Sequence, residues 1–69
     1  MTVQNIERML IKSVDGAVFI NISQIARAIG IGRETAAVLV DGLEYFYTGR
    51  AKNYLVRDVA KRINERKQI

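Results

Sequence analysis

At 69 residues the chain has room for one domain with a small core and little for a catalytic cavity, and with neither Cys nor His it lacks disulfides, the usual zinc ligands and any Ser-His or Cys-His nucleophile. Its 49% apolar fraction suffices for a globular fold, while the longest apolar runs, such as Ala17–Ile20, are too short to span a membrane. The formal net charge of +4 is uneven, because residues 50–69 set Arg50, Lys52, Arg57, Lys61, Arg62, Arg66 and Lys67 against only Asp58 and Glu65, whereas residues 32–49 set Arg33 against Glu34, Asp41 and Glu44.

The basic end attracts a phosphate backbone or serves as a solvated helix face that keeps a small protein soluble. The N-terminus lacks the basic-then-apolar layout of a secretory signal, so a cytoplasmic protein is expected.

Thr2 can cap a first helix that runs to about Ser13, with Val3, Ile6, Met9 and Leu10 on one face. Asp15-Gly16 is a turn signal, and Ala17-Val18-Phe19-Ile20 reads as one short strand. Asn21 to Leu43 reads as two short helices joined by a tight turn. Asn21-Ile22-Ser23-Gln24 has the form of a capping box, in which Gln24 reaches back to the Asn21 N–H. Ile25 and Ile29 share a face, and Ala26 is small enough for a second helix to cross closely. Gly30 takes the left-handed conformation that ends the first of these helices, Ile31 plugs the corner, and Gly32 caps the next. Ala36, Leu39, Val40 and Leu43 then fall at i, i+3, i+4 and i+7 as an inner stripe, with Gly42 as the stop.

Tyr45–Thr48 and Asn53–Val56 are β-rich runs around a four-residue link, Gly49-Arg50-Ala51-Lys52, and predict a hairpin with Arg50 and Lys52 at its tip. A last helix from about Arg57 turns Val59, Ala60 and Ile63 inward and leaves Lys61, Arg62, Arg66 and Lys67 mostly outside. Ile63 with Ile69 offers a seam for pairing with a second copy.

The expected class is α+β, mainly α: one domain over residues 1–69, with a two-helix unit at 21–43, a hairpin at 45–56 and a C-terminal helix at 57–67. The spacing of Ala26, Gly30, Ile31 and Leu39 resembles the helix-turn-helix of DNA-binding proteins, and the first six elements stand in the order of a winged helix-turn-helix, the hairpin being the wing. The stretches Val40-Asp41-Gly42-Leu43-Glu44-Tyr45 and Gly49 to Val59 are similar to the wing and following helix of excisionase and MerR-type domains. The long first helix departs from those families and is closer to small winged-helix regulators of phages, plasmids and archaea.

That resemblance implies a sequence-specific, non-enzymatic protein that binds double-stranded DNA, acting as a transcription regulator or a recombination directionality factor. Arg33, Glu34 and Thr35 would read the major groove: Arg33 can pair with guanine or hold phosphate, and Glu34 can accept from cytosine. Ala37 and Val38 can contact a thymine methyl. Arg50 and Lys52 on the wing would hold phosphates, as would Arg27 unless it is merely solvated. Ser23 and Gln24 at a helix start either hold a phosphate or only cap the helix, and Asn53 is either a contact or a turn residue. Tyr45, Tyr47 and Tyr54 suit wing packing better than base stacking.

One domain this small touches few bases, so a homodimer or DNA-dependent multimer associated with the nucleoid is expected, with no cofactor, metal, small-molecule substrate or membrane partner. Two alternatives stand beside it. One is a protein-interaction module using Ala37 and Val38 on an acid-flanked face, and the other is an RNA-associated winged helix.

Overall fold

Seven elements follow one another with little intervening chain: α1 (Val3–Ser13), β1 (Phe19–Asn21), α2 (Ile22–Ile29), α3 (Arg33–Leu39), β2 (Tyr45–Thr48), β3 (Ala51–Leu55) and α4 (Val56–Lys67). They come from a computed structural model that describes residues 2–67. The result is a mainly helical α+β domain of four helices and a three-stranded antiparallel sheet, ordered β1-β3-β2.

The Thr2 side chain accepts from the Asn5 N–H at 3.1 Å and starts α1. Ile6 and Leu10 are fully buried, with Val3, Ile11 and Val14 packed beside them. Met9, expected on the inner face, is 38% exposed. Successive residues turn by about 100°, so the packed residues Val3, Ile6, Leu10 and Ile11 centre near Val3, and position 9 falls roughly 120° from that line. Past Ser13 the Gly16 N–H donates to Ile11 O at 2.8 Å and the Asp15 N–H to Lys12 O at 3.4 Å, both with positive φ. This is a Schellman ending in which Asp15 occupies the left-handed position that Asp tolerates better than most residues.

The strand after this turn starts two residues later than the Ala17–Ile20 run suggests. The Ala17 N–H is spent on Val14 O in the turn, and pairing with β3 begins at Phe19. Asn21 closes the strand and caps α2 through the expected capping box: its Oδ1 accepts from the Gln24 N–H at 2.8 Å, and Gln24 Oε1 accepts from the Asn21 N–H at 3.0 Å. Gly30 ends α2 in the left-handed region, φ 71°, where a side chain would be strained.

α3 stops at Leu39, short of the expected Asp41-Gly42. Ala36 and Val40 are buried and Leu39 and Leu43 half-buried, as the stripe predicts, but Val40 and Leu43 lie beyond the helix. The hairpin loop has two residues, Gly49-Arg50, rather than four. Thr48 pairs with Ala51 and Tyr47 with Lys52, so Lys52 lies within β3 and not at the tip. Gly49 takes a positive φ at the first loop position, where such tight hairpins favour Gly.

β3 enters α4 with no intervening residue. Val56, Val59 and Ala60 are buried and Ile63 half-buried against the same core, so Ile63 faces its own chain. Its suggested partner Ile69 lies outside the described residues, as does the Lys67 side chain. The core joins Ile6 and Leu10 of α1, Ile20 and Tyr54 of the sheet, Ile25, Ala26 and Ala36 of the two-helix unit, and Val56, Val59 and Ala60 of α4.

Replacing Asn21 by Ala removes the capping box and costs about 1 kcal/mol, read as a fall of several degrees in the thermal midpoint. Burial pushes the Tyr54 hydroxyl pKa above tyrosine's ordinary 10.0, an effect Lys52 partly offsets and Tyr45, Asp41 and Tyr47 reinforce. The unfolded chain therefore ionises first, and the associated stability is complete below pH 10 and lost as pH rises beyond it. Tyr54→Phe flattens this alkaline loss in urea titrations at successive pH values.

Candidate nucleic-acid interface

The antiparallel register assigns side chains to the two faces of the sheet. Tyr45, Tyr54 and Ile20 stand opposite one another across three strands, and so do Phe46, Asn53 and Asn21. Because successive side chains alternate, Lys52 and Tyr47 share the core-side face with Tyr54, extended beyond the core, while Phe19, Phe46, Asn53 and Leu55 occupy the opposite face.

On the core-side face the hairpin overhangs the start of α2. A cleft of about 360 Å³ opens there, lined by Asn21, Ile22 and Ser23 from the β1–α2 junction, Arg33 from the start of α3, and Tyr47, Arg50, Ala51 and Lys52 from the hairpin. Three cations line it and no carboxylate does. Among the described residues the sole ion pair is Arg62 with Glu65, so Arg33, Arg50 and Lys52 carry their charge without an acidic partner. Lys52 Nζ stands 4.7 Å from the centroid of the Tyr45 ring, a cation–π contact that directs the long side chain. Tyr45 in turn meets Tyr47 edge-on at 5.6 Å and Tyr54 at 5.8 Å. Tyr54 alone of the three is buried, and Tyr47 is an exposed wall of the cleft rather than a packed residue.

Of the residues singled out from the sequence, Ser23, Arg33, Arg50 and Lys52 are brought together. Gln24 is committed to the capping box through Oε1. Asn53 Nδ2 donates to Thr48 Oγ1 at 2.7 Å and to Ala51 O at 3.3 Å, so its amide holds the hairpin. Arg27, Glu34 and Thr35 are exposed but do not line the cleft. Ala37 and Val38, with Asp41, border a separate shallow depression of about 270 Å³ on the outer side of α3, where Val38 is 67% exposed.

Sequence reasoning assigned Arg62 to the solvent side, and the structure corrects this. One guanidinium nitrogen, Nη1, donates to Leu39 O at 2.9 Å and to Asp41 O at 2.8 Å. The unpaired carbonyls of a helix C-terminus are thereby met by a cation from α4, which also suits the negative end of the helix dipole. The same arginine lies 3.7 Å from Glu65, but that pair is largely exposed on the Glu65 side and adds little. Arg62 thus fixes α3 against α4, and with it the angle at which Arg33 and Val38 are presented. Tyr47 and Asn21 were also missed as lining residues. The alternation of 45/47 against 52/54 would have indicated Tyr47 had the loop length been known.

Among the described residues no group of three or more acids could hold a metal ion, and no helix is long and apolar enough to cross a membrane. No protein-family model, curated protein or solved structure matches this chain.

Arg62→Ala leaves two carbonyls without their donor and lowers stability by roughly 1–3 kcal/mol in chemical denaturation, with Arg62→Lys recovering part of the loss. Glu65→Gln, which touches only the exposed pair, changes the midpoint by less than about 1 kcal/mol.

Proposed function

We propose that this chain is a double-stranded DNA-binding protein of the winged helix-turn-helix kind, with α2 and α3 as the helix-turn-helix and the β2–β3 hairpin as the wing. The observation that carries the proposal is the cleft that gathers Arg33, Arg50 and Lys52 with the Ser23 end of α2 and no acid among its walls. Three unpaired cations drawn from two separate parts of the chain match a phosphate backbone crossing between helix and hairpin.

In this reading Arg50 and Lys52 hold phosphates, and Arg33 stands at the start of the groove-facing helix with Glu34 and Thr35 beside it. Ala37 and Val38 supply apolar contact to a thymine methyl. The chemistry is binding without catalysis, and the biological role is transcription regulation or recombination directionality. A domain with so short a reading helix covers few base pairs, so it acts as a homodimer or a DNA-dependent multimer, in the cytoplasm with the nucleoid.

A second reading is favoured by the depression at Ala37, Val38 and Asp41, whose exposed valine beside an acid suits a protein contact. Here α3 binds another protein and the cleft only adds charge.

The test is fluorescence anisotropy with a generic DNA duplex over a salt series. For the intact chain log K falls with log salt by about 0.9 per phosphate contacted, and Arg50→Ala with Lys52→Ala makes the slope shallower by up to about two such steps. Ala37→Glu with Val38→Lys leaves this non-specific slope nearly intact on the DNA reading and abolishes capture on the protein-contact reading. Absence of binding at ~50 mM salt, where non-specific affinity is already visible, overturns the DNA reading.

A further inference from the structure

We propose that the opposite face of the sheet carries a second site, a pocket that takes the cationic side chain of a basic peptide segment on a partner protein. This pocket, of about 180 Å³, is walled by Phe19, Tyr45, Phe46 and Leu55, with Glu44 and Asp58 completing its lining. The register puts Phe19, Phe46 and Leu55 on the face away from Tyr47 and Lys52, and Tyr45, the first residue of β2, is the wall residue whose ring also meets Lys52.

The aromatic walls are not core residues left slightly open. Phe19 and Phe46 meet edge-to-face, with ring centroids 4.7 Å apart and planes at 86°, yet they remain 39% and 45% exposed. Leu55 beside them is 38% exposed and Val18, just before β1, is 57% exposed. Two phenyl rings in mutual contact on the outside of a sheet form a preorganised apolar surface that the core does not use.

The acids decide which chemistry fits. Neither Glu44 nor Asp58 has a cation within ion-pair distance among the described residues, although the chain carries an excess of basic side chains. Aromatic faces attract cations through their quadrupole, and two carboxylates add direct charge attraction. The volume is below the roughly 300–1,000 Å³ of drug or cofactor sites and suits a single guanidinium or ammonium side chain. Phosphates and acidic peptides are repelled. A short segment also brings its cation to the acidic mouth without bringing a second folded body of net charge +4, which favours a peptide over another copy of the chain.

The probe is a fluorescein-labelled pentapeptide with a central arginine between two valines and serine ends, titrated with the full chain at ~150 mM salt. Its twin carries citrulline, the neutral isostere of arginine. Saturable binding is expected for the arginine peptide, with at least about tenfold loss for the citrulline peptide, for Glu44→Gln/Asp58→Asn and for Phe46→Ala. Arg8→Ala, exposed on α1 and lining neither site, should bind as the parent does. Circular dichroism confirms that each variant is folded, and Glu44→Gln alone, which removes no packing, keeps the test decisive if Phe46→Ala unfolds.

Equal binding of both peptides, indifference to the acid-to-amide changes, or no saturation up to ~1 mM overturns the proposal. Self-association in sedimentation that Glu44→Gln/Asp58→Asn abolishes also overturns it, by giving the pocket to a second copy.

Discussion

Everything in this small domain hangs on the placement of β3. It is the central strand, paired to β1 on one side and β2 on the other, and it becomes α4 without a linking residue. At its end the Val56 N–H donates to Val18 O at 2.8 Å, so the first residue of the last helix is still held by the chain leading into the sheet. Tyr54 is buried between Ile20 and Tyr45 and ties the sheet to the core formed by α1, α2 and α4. A 69-residue chain buries too little surface to tolerate a loose joint between its layers. Here β3 passes into α4 with no residue between them, so the sheet and the helical layer share one continuous backbone segment.

The local features of this fold are the ones legible in the sequence. Asn21 with Gln24 and Gly30 at the corner depend on residues three or four apart and take the conformation the sequence predicts, and the Ala36-Leu39-Val40-Leu43 stripe turns inward as predicted although Val40 and Leu43 lie past the end of the helix. What was less legible depends on partners far along the chain. The start of β1 is set by its register with β3. The end of α3 is met by Arg62, whose acceptors are 23 and 21 residues away. The position of Lys52 follows from a two-residue loop, a length that Gly49-Arg50-Ala51-Lys52 does not announce, because Ala51 and Lys52 are as compatible with a turn as with a strand. The same limit applies to the cleft. Arg33, Arg50, Lys52 and Ser23 could be named individually as cations or helix-start residues, but that they line one space, while Arg27 and Asn53 do not, is a property of the tertiary arrangement.

Arg62 shows how α4 contributes to a surface it does not line. Its guanidinium reaches across to the carbonyls that close α3, so a helix of only seven residues, too short to be stable by itself, is held at both ends: by the Gly30–Gly32 corner before it and by a charged donor behind it. Arg62 thus ties the C-terminal end of α3, a helix that packs on α2, to α4.

The alternation of side chains along the hairpin also governs how this protein can change over generations. Tyr47 and Lys52 face one way, and Phe46, Asn53 and Leu55 the other, so point substitutions can alter either surface while sparing its neighbour, with Tyr45 the residue both share. An insertion or deletion of one residue within either strand has a different effect. It turns the pleat over beyond that point, burying what was exposed and exchanging cations for aromatic rings. The two surfaces can therefore diverge independently by substitution, yet they are tied together by chain length, with the two-residue loop at Gly49-Arg50 holding the register that separates them.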